Sequence, residues 1–189
     1  QDLAIKIYRI RTANFNAMTE YLIGDRRFSG VRKTRKEVVF TWTRKEFSNL
    51  KRAHEAGLRV PEPYGWDRNI LVMEFIGENE VPFPQIRNVK LDDPGTVYQE
   101  IVSFVKTLYQ NAELVHADLS EFNILFSNRP YIIDMGQSVT LDHPRARAFL
   151  ARDIANVNRY FGNLCSVRTT GEIFTEITGI PLPGTGVPG

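Results

Sequence analysis

A chain of 189 residues, 42% hydrophobic and 24% charged, carries enough apolar material for a substantial core, and this composition excludes wholesale disorder. The net charge of +2 is too small to name a partner by itself, and the single cysteine, Cys165, excludes an internal disulfide or a multi-cysteine metal site and fits a reducing, cytoplasmic setting. No apolar run approaches the roughly 18 to 20 residues that span a bilayer and no signal-peptide pattern is present, so a membrane partner is not expected.

The first readable element is a strand, Leu3 to Tyr8, in which Leu3, Ile5 and Ile7 point to one face and Ala4, Lys6 and Tyr8 to the other. The strand starts abruptly with no methionine before it, and an upstream segment is expected to be missing. Arg26, Arg27, Arg32, Lys33, Arg35 and Lys36 then gather with no acid among them, interrupted by Ser29-Gly30. This predicts a flexible basic insertion over about residues 24–36, either merely solvated or in contact with RNA or substrate phosphates. From about Arg35 to Ala56 the pattern is helical, with Val39, Trp42, Glu46, Leu50 and Ala53 at steps of three and four. Glu46 lies inside that apolar stripe, where a carboxylate is costly unless a cation meets it. Gly57 ends the helix, Pro61 and Pro63 mark an extended link, and residues 69–76 read as a buried strand.

Residues 82–94 form a proline-spaced connector. Asp93-Pro94 opens a helix whose inner face holds Val97, Ile101, Val105 and Leu108. A hairpin follows, with strands at residues 124–126 and 131–133 around the turn Ser127-Asn128-Arg129-Pro130. A last helix runs from about Arg145 to Phe161 with Leu150, Ile154, Val157 and Phe161 inward, and residues 181–189, rich in Pro and Gly, read as a flexible tail.

Between these elements lie the residues with chemistry: Leu114-Val115-His116-Ala117-Asp118-Leu119-Ser120-Glu121-Phe122-Asn123, and Ile132-Ile133-Asp134-Met135-Gly136. A carboxylate, an amide five residues on and a second carboxylate at the end of an apolar strand can orient a hydroxyl and hold Mg²⁺ on a nucleoside triphosphate. Phosphoryl transfer also needs a cation on the phosphates and an acid to hold that cation. Lys6 and Glu46 answer both needs, and each supplies the partner the other lacks. Asp118 would take or orient the proton of the attacking hydroxyl or water, with Asn123 and Asp134 as oxygen ligands of the metal. His116 reads as structural support of its loop, and Asp153 either braces the catalytic loop or faces solvent.

These two motifs, together with Leu71-Val72-Met73-Glu74-Phe75-Ile76-Gly77 and Ala4-Ile5-Lys6-Ile7-Tyr8-Arg9, resemble the RIO-type atypical serine/threonine protein kinases, and most closely their first subfamily, over nearly the whole chain. The resemblance implies that Lys6 binds the ATP phosphates, that Met73 lies at the back of the adenine pocket, and that the Glu74 carbonyl and Ile76 amide meet the adenine edge. It implies Asp118 as the catalytic aspartate, Asn123 and Asp134 as ligands of Mg²⁺ with Mn²⁺ as an alternative ion, and Asp134 as an acceptor of phosphate in members acting as ATPases. It further implies work on the pre-small-subunit ribosomal particle or its RNA, with a protein serine as one acceptor.

The spacing departs from ordinary protein kinases in ways that fit. Forty residues separate Lys6 from Glu46. After Gln137 only about ten residues precede the next helix, with no Ala-Pro-Glu triplet, so a long activation segment has no room. The Gly-rich phosphate loop would precede Lys6, and Gly24 and Gly30 do not replace it. The expected fold is α+β: a two-lobed protein-kinase-like domain with a small β-rich N-lobe, incomplete at its start (residues 1–76), and a helical C-lobe without an activation segment (residues 77–180). Rival readings are a small-molecule phosphotransferase of the aminoglycoside or choline kinase kind, against which Ser120-Glu121-Phe122 and Met135-Gly136-Gln137 argue, and an assembly factor that binds ATP without needing to cleave it.

Overall fold

Alternation of small and large side chains makes Leu3–Ile7 a strand, β1, but its three large apolar residues occupy the outer face and are each more than half exposed. Ala4 and Lys6 face inward. The computed structural model describes residues 2–11, 15–28 and 34–182. Helix α1 (Phe15–Leu22) and a 3₁₀ turn (Arg26–Phe28) lead to the 21-residue helix α2 (Arg35–Glu55). The Thr34 side chain caps α2 by accepting from the Glu37 amide, and Gly57, at φ 78°, allows the chain to turn away after it. Strands β2 (Pro63–Asp67) and β3 (Ile70–Glu74) complete a three-stranded antiparallel sheet in the order β1-β3-β2.

The register pairs Ala4 with Met73 and Lys6 with Leu71, so these four side chains share the inner face of the sheet. The link expected at Pro61 and Pro63 thus passes directly into a strand, with a bulge between Pro63 and Gly65. On α2 the whole stripe from Val39 through Trp42, Glu46 and Leu50 to Ala53 is buried.

A short hairpin, β4 (Gly77–Glu78) and β5 (Val81–Pro82), follows the sheet. The connector then makes a 3₁₀ turn at Ile86–Asn88, where Ile86 is fully buried and its carbonyl accepts from the Tyr160 hydroxyl. Helix α3 (Pro94–Gln110) begins as the Asp93-Pro94 pair requires, with Asp93 accepting from the Thr96 amide. Strand β6 (Leu114–Val115), the hairpin of β7 (Ile124–Phe126) and β8 (Pro130–Ile132), and β9 (Val139–Thr140), which pairs with β6, carry the motif loops. Helices α4 (Ala146–Phe161) and α5 (Thr170–Thr178) pack on α3 around Tyr98, Leu108, Phe149, Phe161 and Phe174, all fully buried.

The basic stretch is less loose than its composition suggests. Arg26–Phe28 form the 3₁₀ turn, and Arg35 and Lys36 belong to the first turn of α2. Residues 29–33, with Arg32 and Lys33, lie outside the described residues, as do residues 183–189 of the expected tail. Tyr21 of α1 stands edge-on to Trp42 of α2 at 6.1 Å and stacks on Phe149 of α4 at 5.2 Å, tying three helices together.

Candidate active site

Four elements deliver the site: β1 supplies Lys6, α2 supplies Glu46, the loop after β6 supplies Asp118 and Asn123, and the turn after β8 supplies Asp134. Lys6 Nζ donates at 2.9 Å to Glu46 Oε1 and at 2.9 Å to Asp134 Oδ1. One ammonium thus joins the sheet, the long helix and the C-terminal half of the chain. Burial works against the charge of Lys6, but the two carboxylates outweigh it and hold the pKa above the usual lysine value. Burial pushes Glu46 up to about 7, opposed by Lys6. For Asp134 burial acts upward, yet the Lys6 ammonium prevails and keeps the carboxyl below its ordinary value.

Asp118 is held from two sides. Asn123 Nδ2 donates to its carbonyl at 2.8 Å and to Oδ2 at 3.3 Å, and Gln137 Nε2 donates to Oδ2 at 3.0 Å. Burial and then the charge of Asp134 raise its pKa. The negative charge of Asp134, which disfavours ionisation of Asp118, leaves a place where a cation is electrostatically welcome. Asn123 turns its NH₂ to Asp118, so Oδ1 is the amide atom left for such a cation. Among the described residues no group of three or more His, Cys, Asp or Glu side chains is arranged to hold a metal. A site of one carboxylate and one amide oxygen still suits Mg²⁺, a hard ion that commonly completes its shell with waters and substrate phosphates.

The loops are fixed from behind. His116 Nδ1 accepts from the Asp118 amide at 3.3 Å, which leaves the proton on Nε2, 3.2 Å from the Ile133 carbonyl. Burial depresses the pKa of this ring to about 4, so the neutral form bridges the two motif loops. Buried Asp153 on α4 accepts from the amides of Ala117 at 2.7 Å and Leu119 at 3.0 Å, and Arg152 donates to the Ala117 carbonyl. Ala117 and Asp134 both adopt left-handed backbone, with φ 67° and 64°. For residues other than glycine such conformations are costly and persist where surrounding bonds over-determine them.

Met73 lies on the inner face of the sheet beside Ala4, and Ile76 is buried, its carbonyl accepting from the Phe83 amide at 3.1 Å. The Glu74 carboxylate turns back to accept from the Glu62 amide at 3.2 Å. Gln137 was read from sequence only as the end of the Met135-Gly136-Gln137 run, without a role, and Arg152, Lys45 and Asn49 were not singled out. The first two sit next to singled-out residues. The last two lie on α2 beside Glu46, and their polarity concealed that they are fully buried.

A lysine held by a helix glutamate, an aspartate loop closed by asparagine and a second aspartate facing the lysine, set between a small sheet and a helical lobe, define a domain of the protein kinase class. A family model for the RIO domain matches residues 1–172. The RIO-type serine/threonine-protein kinase Rio1 of Thermoplasma acidophilum is 42% identical over 159 residues, covering 84% of this chain and 84% of its own. Its namesake in Haloferax volcanii is 40% identical, with 94% of this chain and 61% of its own covered. The human serine/threonine-protein kinase RIO1 is also 40% identical, but the matched part is only 32% of that protein. The chain belongs to the RIO domain family. The Rio2 kinase of Chaetomium thermophilum, solved with ADP, Mg²⁺ and phosphoaspartate, shares the fold with a TM-score of 0.70 at 24% identity, over 96% of this chain and 55% of that one.

Proposed function

We propose that this domain binds ATP with Mg²⁺ between its sheet and its helical lobe and transfers or hydrolyses the γ-phosphate, as a RIO-type serine/threonine kinase or ATPase. The observation that carries the reading is the Lys6 ammonium shared at 2.9 Å between Glu46 and Asp134, a cation fixed where triphosphate oxygens and a metal would meet. Met73, the Glu74 carbonyl and the Ile76 amide receive adenine. Lys6 positions the phosphates, and Glu46 keeps it aimed. Asn123 Oδ1 and Asp134 hold the metal, which when bound neutralises charge on the phosphates. Asp118, oriented by Asn123 and Gln137, accepts the proton of a serine hydroxyl or of water.

The phosphoaspartate of the Chaetomium Rio2 kinase supports a further step in which an Asp134 oxygen bonds the γ-phosphorus as the bond to ADP breaks, and water later releases phosphate. We extend this reading to a place in small ribosomal subunit maturation, which the sequence resemblance implies, and to a cytoplasmic site of action, which the single cysteine fits. Among the described residues no helix is long and apolar enough to cross a membrane. The short passage from Asp134 to α4 supplies no platform for an extended peptide, which favours water or a serine presented by a folded partner.

The test is acid quenching of the full-length protein after incubation with Mg²⁺ and γ-labelled ATP. Hydroxylamine-labile label on the protein, absent in Asp134→Ala, is the expected sign of the aspartyl phosphate, and alkali-labile, hydroxylamine-resistant label marks serine transfer. Transfer to small alcohols with none to protein or water would assign the domain to small-molecule kinases instead.

A further inference from the structure

The turn that follows Asp134 exposes its main-chain carbonyls to the inside of the molecule, and two side chains of α2 claim them. Lys45 Nζ donates to Gly136 O at 2.8 Å and to Ser138 O at 2.5 Å. Asn49 Nδ2 donates to Met135 O at 2.8 Å and to Ser138 O at 2.9 Å. Both side chains are fully buried one helical turn apart, on the arc of α2 adjoining Glu46. Burying a whole lysine is among the costlier choices a helix can make, and here burial draws its pKa down to about 7.

A second layer stands behind the first. Arg27, in the 3₁₀ turn at the start of the basic stretch, donates from Nη2 to Asn49 Oδ1 at 3.0 Å, which orients the amide so that its NH₂ faces the turn. Asp25, itself buried, fixes that guanidinium through Nε at 2.9 Å and Nη2 at 2.6 Å. The chain of bonds from Asp25 to Arg27, Asn49 and the Met135 and Ser138 carbonyls crosses from the start of the insertion to the residue next to Asp134. None of these side chains is among those that meet nucleotide or metal in the proposed site.

We infer that Lys45 and Asn49, with Arg27 and Asp25 behind them, are positioning residues that set the turn at 135–138 and thereby the direction of the Asp134 carboxylate toward the metal. This rests on the reading of Asp134 as a metal ligand. Loss of the clamp leaves the inner face of the sheet, and hence the adenine seat, in place, while the turn relaxes and Asp134 meets the cation less well. A purely structural role would instead weaken the whole fold and every binding step alike.

The experiment is calorimetric titration of ATP into the full-length protein over a series of Mg²⁺ concentrations, for the wild type and for Lys45→Met, Asn49→Leu, Arg27→Met and Asp134→Ala, below the melting point of each. The expected result is ATP affinity without Mg²⁺ within twofold of wild type, and a Mg²⁺ midpoint for tighter binding raised at least fivefold in the three clamp variants. Arg27→Met, farthest from the turn, keeps the test open where a variant nearer the turn fails to fold. Wild-type Mg²⁺ midpoints in folded clamp variants, alongside a lost Mg²⁺ response in Asp134→Ala, would overturn the inference. A wild-type Mg²⁺ response in Asp134→Ala would instead overturn the reading of Asp134.

Discussion

At Gly136 the need for glycine comes from a neighbour. A Cβ there would lie 2.7 Å from Trp42 Nε1, on a buried ring that meets Tyr21 of α1, so even alanine must displace either the turn or the indole. Gly136→Ala is expected to cost about 1 to 3 kcal/mol in stability and to lower ATP turnover by more than that loss explains, because the shift falls two residues from Asp134. Pairing it with Trp42→Phe should restore part of the turnover, measured at saturating ATP. His116 makes a separate, pH-resolved prediction. In the fold it stays neutral down to about 4, whereas in the unfolded chain it protonates near 6.5. A depressed folded pKa gives stability that is complete above the unfolded value and is lost as pH falls from 6.5 toward 4, since the unfolded chain then binds the proton the fold refuses. The loss amounts to about 3 kcal/mol over that window. Unfolding free energies from urea titrations across this window should fall by that much more for wild type than for His116→Gln, and parallel pH profiles would contradict a neutral bridging ring.

The elements differ in how much of them can be read from sequence. Helix α2 was legible because Val39, Trp42, Leu50 and Ala53 keep a single stripe, and Glu46 stood out as the one charge within it. Lys45 and Asn49 were not legible, since their partners are main-chain carbonyls about ninety residues away, which side-chain patterns do not record. Strand β1 was recognisable by alternation, but alternation cannot say which face turns inward, and the large apolar face turned out to be the outer one. The 3₁₀ turn was hidden inside a run of basic residues because Asp25 lies just before it. The strands β6 and β9 are two residues each and form only because the motif loops bring them together. Helix α5 carried a usable signal in Thr169 and Glu172, which form a full capping box. Thr169→Ala should therefore cost about 1 kcal/mol and lower the melting temperature by a few degrees while leaving ATP turnover unchanged. An equal fall in turnover would mean that α5 supports the site more directly than its position suggests.

For the whole molecule, the placement of α2 decides how the two halves communicate. Its Glu46 reaches the sheet lysine, its Lys45 and Asn49 reach the turn after Asp134, and its Arg52 pairs with Glu113 at 2.6 Å. The chain beyond it adds the bond from the Ile132 amide to the Arg59 carbonyl at 3.0 Å. The lobes are therefore joined along one helix, and Glu46 on that helix shares the Lys6 ammonium with Asp134. Sequence singles out all three residues, a lysine sharing a strand face with a small residue, an acid in an apolar stripe and an acid closing an apolar strand, and pairs the first two, whereas the bond from Lys6 to Asp134 is visible only in the fold. The measurement that tests the account most directly is Mg²⁺-dependent ATP turnover by the full-length protein, side by side with Asp118→Asn and Asp134→Ala, folding being checked by circular dichroism. Turnover should fall by roughly 100-fold or more in each variant with the spectra unchanged, and wild-type rates in both folded variants would contradict the assignment of this site.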